Sequence, residues 1–358
     1  MKVIAVTNQK GGCGKTTISI NLSYALALQG KRVLLIDLDP QAYATVGFGI
    51  EPENLANTIF HAIIPEYPQG IHDVTIKLAD NLWLAPSNIE SSLKVFGNAA
   101  SRHYDLDQKL YLTLKSVEND FDYVIIDCPT ALDMLLMNAL VAADYVLLPV
   151  DESIFSARGL DKAIQLVEST KETKNRHLRP MVIFSNMNPK MAVSKKIRAS
   201  IKKKYPDYVL KTIIHASEKI KESTYKAMTI IKDSLYSESA IDFISLAKEI
   251  MAIVEQDAAK IATENFALGI QRLDDGLLLI FQNPEAVDMR LAGSFNNWNP
   301  AEGPMVKINE DGLWAKFVPL AHGEYQYLIL IDGQWQEDYQ NSNKVTNEFG
   351  EFNSLLSY

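Results

Sequence analysis

Five short apolar runs, spaced so that helix-length stretches fall among them, restrict the fold of this chain more than any other feature. VIAVT (3–7), RVLLID (32–37), DYVIID (122–127), DYVLLPV (144–150) and MVIFS (181–185) are apolar at consecutive positions rather than alternate ones. Such runs belong to strands covered on both faces. The stretches 15–29, 105–119, 155–172 and 190–204 are long enough for helices. Alternation of the two predicts βαβ units with right-handed crossovers, and so an α/β fold with a mostly parallel, doubly wound sheet. A run from Ser239 to about Ala262 has a helical pattern without Gly or Pro and is expected to close this domain.

Beyond Gly269 the pattern changes. LLLIF, MRLAGSF, LWAKFVPL and YQYLILID are short, β-rich runs divided by turn clusters such as NPAEG, NEDG, AHGE and DGQ. They predict a small all-β, immunoglobulin-like sandwich. The expected organisation is an α/β domain over 1–262, a linker over 263–271 and the sandwich over 272–358. Charge divides the same way: residues 285–358 hold 11 acidic and 4 basic side chains, against a net −9 for the whole chain. That balance argues against nucleic-acid binding over the whole surface but leaves room for a local basic patch. No apolar run approaches the roughly 18 residues that span a bilayer. MKVIAVTNQKGG lacks a signal-peptide layout, and Cys13 and Cys128 form no scaffold pattern, so a cytoplasmic location is expected.

The chemistry sits where strands end. In NQKGGCGKTT (8–17), Gly14-Lys15-Thr16 follows a strand and opens a helix. Backbone N–H groups at such a turn face phosphate oxygens, and glycines allow close approach. Lys15 is expected to hold the β- and γ-phosphates, and the Thr16 hydroxyl to hold Mg²⁺. The usual first glycine of this motif is replaced by Gln9, and a second lysine, Lys10, precedes Gly11 and Gly12. Asp37 and Asp39 close the second strand and Asp127 closes DYVIID. Ligands bind beyond the carboxyl ends of such strands, which directs all three carboxylates at the phosphate loop. Asp127 is the expected partner of hydrated Mg²⁺, and Asp39 is expected to orient an attacking water. Asp37 either assists the metal or holds the switch loop, or it only caps the turn. No N-K-x-D motif is present, so adenine is favoured over guanine.

KGGCGKTT, LLIDLDPQA and DYVIIDCPTALDMLLMNALVAADYVLLPV, in that order, resemble the deviant Walker ATPases of the ParA/MinD family over about residues 1–255. The resemblance implies an ATP-bridged homodimer in which Lys10 reaches the phosphates held by the partner. It implies a nucleotide loop of Gly11, Gly12, Cys13, Gly14, Lys15, Thr16 and Thr17, with Asn186 and the backbone near Pro149 flanking the base. It also implies slow turnover stimulated by a partner protein. Cys13 and Cys128 fall in loops at this site as small, space-filling residues. Non-specific DNA binding is not favoured. Where the family carries arginines, this chain has Ala216, Leu235 and Glu238, and each missing phosphate contact would flatten the salt dependence of binding. Lys195, Lys196, Arg198, Lys202, Lys203 and Lys204 spread over a broad helix face, either solvated or tracking phosphates.

LAGSFNNWNP, YQYLILIDGQW and the final F-G-x-x-N resemble the glycogen-binding module of AMP-activated kinase β subunits and related early-set domains. The resemblance places Trp298 and Trp335 as a sugar-stacking platform and Asn353 as a hydrogen-bonding partner, so that a glycogen-like polysaccharide becomes a candidate ligand. Leu328 stands where those relatives carry a lysine. A protein-docking surface is the other reading of the same residues. Trp314, alternating with Ala315, Lys316 and Phe317, is expected in the core.

Overall fold

The computed structural model describes all residues except 64–68, 94–105, 132, 189, 265–267, 274–275, 310 and 348–349. The start of the helix expected over 105–119, part of the expected linker and Phe349 of the final motif lie outside the described residues. The chain divides into two compact units, Met1–Val254 and Glu255–Tyr358.

The first unit is built on an eight-stranded sheet. Its strands are β1 (Lys2–Val6), β2 (Val33–Asp37), β3 (Ile76–Ala79), β4 (Leu82–Ala85), β5 (Tyr123–Asp127), β6 (Tyr145–Val150), β7 (Arg179–Met187) and β8 (Val209–His215). Their order is β3-β4-β2-β5-β1-β6-β7-β8. Every pairing is parallel except that of β3 with β4 at the edge. The central strands β2, β5 and β6 are buried at every position, as their continuous apolar runs require. Two apolar clusters cover the two faces. The helices Lys15–Leu28 and Glu238–Glu264 bring Ile18, Leu22, Leu26, Phe243, Leu246 and Ile250 to one cluster. The helices Lys109–Lys115, Met134–Ala142 and Ile154–Thr173 bring Leu110, Leu114, Leu135, Leu140, Leu160 and Val167 to the other. The sheet is therefore doubly wound.

Three of the eight strands were not among the five apolar runs. β3 and β4 have four residues each, and β8 is interrupted by Lys211 and Thr212 because it runs along an edge. Among the described residues no helix is long and apolar enough to cross a membrane.

The second unit holds β9 (Gly269–Leu273), β10 (Gly276–Gln282), β11 (Met289–Gly293), β12 (Val306–Lys307), β13 (Leu313–Pro319), β14 (Glu324–Ile331), β15 (Gln334–Gln336), β16 (Lys344–Thr346) and β17 (Phe352–Ser357). They form two antiparallel sheets, β12-β13-β10-β9 and β11-β14-β17-β16, with β15 paired to β14. Leu277, Leu279, Phe281, Trp314 and Val318 of the first meet Leu291, Tyr327, Ile329 and Leu356 of the second in one core. Trp314 is buried, and its Nε1–H donates to the Asn283 carbonyl (3.0 Å), which satisfies its single polar atom.

Candidate functional site

The turn between β1 and the helix Lys15–Leu28 carries the phosphate-loop residues, and glycine makes it possible. Gly14 caps the helix at φ 93. A Cβ there would meet Ser185 Oγ at 2.7 Å, so both backbone and space exclude a side chain. Gly14→Ala is expected to cost about 1–2 kcal/mol of stability from the backbone alone. It should also weaken ATP binding. Thermal unfolding and a nucleotide titration check both, and unchanged values in both would refute the account. The loop is tied to the end of β6 by buried Asn8, whose Nδ2 donates to the Pro149 carbonyl (2.6 Å) and whose Oδ1 accepts from Lys10 N (3.0 Å).

A cavity of about 450 Å³ opens at this turn. Gly11, Gly12, Gly14, Lys15, Thr16, Thr17 and Asp39 line it, so the structure gathers these expected residues. Lys15 is only 8% exposed. Its Nζ donates to Thr130 Oγ1 (3.1 Å) and to the Lys10 carbonyl (3.2 Å), which holds the ammonium over the loop. Thr16 Oγ1 donates to Asp127 Oδ2 (2.7 Å), and Ser19 Oγ donates to Asp127 Oδ1 (2.9 Å). A hydroxyl and a carboxylate side by side at a phosphate loop are the hard oxygen donors that suit Mg²⁺, which takes few protein ligands and completes its shell with phosphate and water. Asp39 is half-buried at the rim. Its Oδ1 accepts from Gln41 N (2.9 Å), and its carbonyl accepts from Ser87 Oγ (2.7 Å).

Five expected residues do not line this cavity, among them Asp127, which is fully buried behind Thr16. Cys13 is buried beneath the loop, its thiol donating to the Lys10 carbonyl (3.2 Å). Asp37 is fully buried, and its Oδ2 accepts from the backbone and hydroxyl of Thr45, both at 2.7 Å. These bonds tie the segment after β2 to the end of the strand. Lys10 turns to the other side of the loop, where its Nζ pairs with Asp151 directly after β6. Asn186 adopts φ 52 and lines a separate cavity with Asp151, Glu152, Ser153, Asn188, Met191 and Ala216.

Strand register explains the electrostatics. Asp37 and Asp127 are direct neighbours at the ends of β2 and β5. Burial pushes Asp37 up to about 8, reinforced by the charge of Asp127. Burial likewise raises Asp127, to about 6, opposed by the Thr16 and Ser19 hydrogen bonds. The folded chain thus keeps a proton on Asp37 that the unfolded chain releases between about pH 4 and about pH 8. Without nucleotide, the contribution of Asp37 to stability is expected to be fully present below that window and to be lost as pH rises through it. Asp37→Asn should flatten the slope. Urea midpoints measured from about pH 5 to about pH 8.5 check this, and parallel slopes in the two proteins would overturn it.

Thr130, Ser19, Thr45 and Asp151 escaped the sequence reading. Thr130 and Asp151 follow β5 and β6 directly, so the rule that ligands gather at strand carboxyl ends was sufficient to find them.

In the second unit Trp298 and Trp335 line one cavity of about 590 Å³ with Gln326, Leu328, Thr346, Asn347, Glu351 and Asn353. Two turns deliver the indoles. Asn297 and Trp298 take φ 52 and 60, a left-handed step rare for a bulky residue. Asn296 braces it, accepting from Gly293 N (2.9 Å) and donating to the carbonyls of Leu291 (3.2 Å) and Asn299 (3.1 Å). Asp332 and Gly333, at φ 47 and 83, make the tight turn that folds β15 back on β14 and sets Trp335 opposite Leu330. The rings remain 37% and 48% exposed. Asn353 is only 5% exposed; its Nδ2 donates to Gln326 Oε1 (2.9 Å) and its Oδ1 accepts from Asn347 Nδ2 (3.3 Å).

Comparison with known proteins matches this geometry. A family described as an AAA domain matches residues 1–180, and one described as the glycogen recognition site of AMP-activated protein kinase matches residues 279–357. The sporulation initiation inhibitor protein Soj of Bacillus subtilis is 32% identical over 252 residues, 70% of this chain and 98% of that protein. The chromosome partitioning protein ParA of Myxococcus xanthus is 28% identical over 253 residues, 70% of this chain and 88% of that protein. The structure of cobyrinic acid a,c-diamide synthase from Mycobacterium smegmatis, with bound ATP analog and magnesium, superposes with a TM-score of 0.60 at 25% identity, covering 70% of this chain and 94% of that one. The ATP analog and magnesium bound by that neighbour are the ligands that a phosphate loop with a flanking hydroxyl and carboxylate suits. Phosphate loop, flanking carboxylates and relatives together make the chain a member of the ParA/MinD family of P-loop ATPases, followed by a domain of the AMP-activated kinase glycogen-recognition type.

Proposed function

We propose that the chain is an ATP-driven dimerising switch that positions a cargo, and that its C-terminal module tethers it to a glycogen-like polysaccharide. The observation that carries the switch is the division of labour between the two lysines. Lys15 occupies the phosphate cavity, whereas Lys10 points away from it to Asp151. A cation on that side of the loop serves a nucleotide held by a second chain across a two-fold axis. The Lys10 side chain keeps about a quarter of its surface open to solvent, so a partner's phosphates can reach it in place of the buried Asp151.

When bound, Mg²⁺ supplies positive charge against the triphosphate, held by Thr16 and, through water, by Asp127. Lys15 holds the same phosphates in cis. Asp39 orients the attacking water, and Lys10 stabilises the transferring group in trans. Asp37 keeps the loop bearing Asp39 in place through Thr45. Hydrolysis then weakens pairing and resets the switch. Relatives named for chromosome partitioning and for sporulation support a positioning role. A stimulating partner protein fits slow intrinsic turnover. DNA is not the favoured cargo, because Ala216, Leu235 and Glu238 stand where phosphate-contacting arginines would be.

The test is sedimentation of the Asp39→Ala chain with and without ATP and Mg²⁺. The expected result is a dimer that needs the nucleotide. A chain that stays monomeric with ATP at high concentration would refute the switch. The polysaccharide arm rests on the two exposed indoles converging on one cavity. Pyranose rings present flat C–H faces that stack on such rings, and hydroxyls that pair with amides at the edge.

A further inference from the structure

The sugar cavity contains three amide side chains in a row, and their orientation follows from one fixed donor. The backbone N–H of Glu351 donates to Asn347 Oδ1 (2.9 Å). A backbone N–H has no alternative role, so the Asn347 oxygen must face it and the Asn347 Nδ2 must face away. That Nδ2 donates to Asn353 Oδ1 (3.3 Å), which leaves Asn353 Nδ2 to donate to Gln326 Oε1 (2.9 Å). Each amide thereby sets the next one. At the end of the row stands Gln326, with its oxygen occupied and its Nε2 N–H groups without a protein acceptor among the described residues. Gln326 lines the cavity with both tryptophans.

The rest of the lining decides which ligand these donors suit. Glu351 is the single charged residue among the described lining, and no lysine or arginine joins it. Its carboxylate is exposed, with no cation paired to it among the described residues. The apolar contribution comes from Trp298, Trp335 and Leu328. An anionic glycan brought here would face Glu351 without a compensating cation, and the domain is itself acidic. A neutral glucan offers hydroxyls that accept from Gln326 and donate to Glu351.

We propose that Gln326 is the specificity-determining donor of this site, that Asn353 is a positioning residue that aims it, and that the site selects neutral glucans over phosphorylated ones. This deepens the polysaccharide arm of the proposed function and rests on it. It reassigns Asn353: that residue is 5% exposed, its oxygen accepts from Asn347 and its nitrogen donates to Gln326, so its main action on the ligand runs through Gln326.

The experiment is calorimetric titration of the full chain with maltoheptaose and with a phosphorylated maltodextrin of the same length. Gln326→Glu keeps the oxygen that receives Asn353 Nδ2 and replaces the free donors by an acceptor. It is expected to weaken maltoheptaose binding about 5- to 10-fold, the worth of one or two neutral hydrogen bonds. Asn353→Asp can still accept from Asn347 but cannot donate to Gln326, and should give a loss of similar size. The two changes combined should cost little more than either, because they act on one donor. The parent should prefer maltoheptaose over the phosphorylated probe at least about 10-fold; this ratio is insensitive to a partial folding defect, which lowers both affinities alike. Unchanged maltoheptaose affinity in Gln326→Glu, additive losses in the double variant, or parity between the two probes would each overturn the assignment while leaving sugar binding intact. A parent chain that binds neither probe would instead remove the polysaccharide arm, and this inference with it.

Discussion

Lys10→Ala is expected to bind ATP about as well as the parent chain and to hydrolyse it about 10³-fold more slowly or worse, the range by which a trans-acting cation accelerates phosphoryl transfer. The binding half of that expectation follows from position: Lys10 does not line the phosphate cavity, and Lys15 does. The kinetic half requires a second chain. Turnover per chain should therefore rise with protein concentration in the parent and stay flat in Lys10→Ala. A matching Lys15→Ala chain should fail earlier, at nucleotide binding, because its ammonium is the one fixed over the loop by Thr130 and the Lys10 carbonyl. Asp151→Ala separates the two states of Lys10. It removes the cis partner without touching the cavity, so it should bind ATP normally and pair at lower protein concentration. Parent-like hydrolysis in Lys10→Ala, measured by phosphate release, would end the trans assignment whatever the behaviour of the other variants.

Trp335→Ala and Trp298→Ala are each expected to abolish co-sedimentation with glycogen under conditions in which the parent is retained. Central aromatic anchors contribute about 2 kcal/mol or more on truncation, or roughly 30-fold in affinity. Both rings line the cavity and about half or less of each is open to solvent, so alanine removes ligand contact rather than core packing. Trp314→Ala is the contrasting case. It empties a core position and should lower stability by about 3–5 kcal/mol before any question of ligand arises. If the Trp298 and Trp335 variants sediment with glycogen as the parent does, the two indoles are not its binding platform.

Much of the fold was legible because continuous apolar runs admit few arrangements. β2, β5 and β6 are the most buried strands and had the clearest runs. β8 was missed for the converse reason: an edge strand tolerates Lys211 and Thr212, so its apolar signal is diluted. β3 and β4 are too short to separate from a turn by periodicity. At the site, motif spacing located the loop, yet it could not say which way a side chain turns. Asp37 is the last residue of β2 and is buried in the core, whereas Asp39 lies beyond the strand end and reaches the cavity rim. Likewise no spacing rule assigns Lys10 to Asp151, since they are 141 positions apart and meet only because β1 and β6 are adjacent. Asn353 shows a third kind of limit. Its presence at a sugar cavity was foreseeable, but its full engagement by Gln326 and Asn347 depends on three elements converging.

The left-handed step at Asn297 and Trp298 has a kinetic and calorimetric consequence. A bulky residue in that conformation carries a conformational cost of about 1–3 kcal/mol, met by the folded scaffold during folding. The backbone that carries the indole is therefore already in its turn before any ligand arrives, so capture need not order that step. For the glucan ligand proposed above, encounter should be quick, with a heat signature dominated by ring–carbohydrate contact instead of loop ordering.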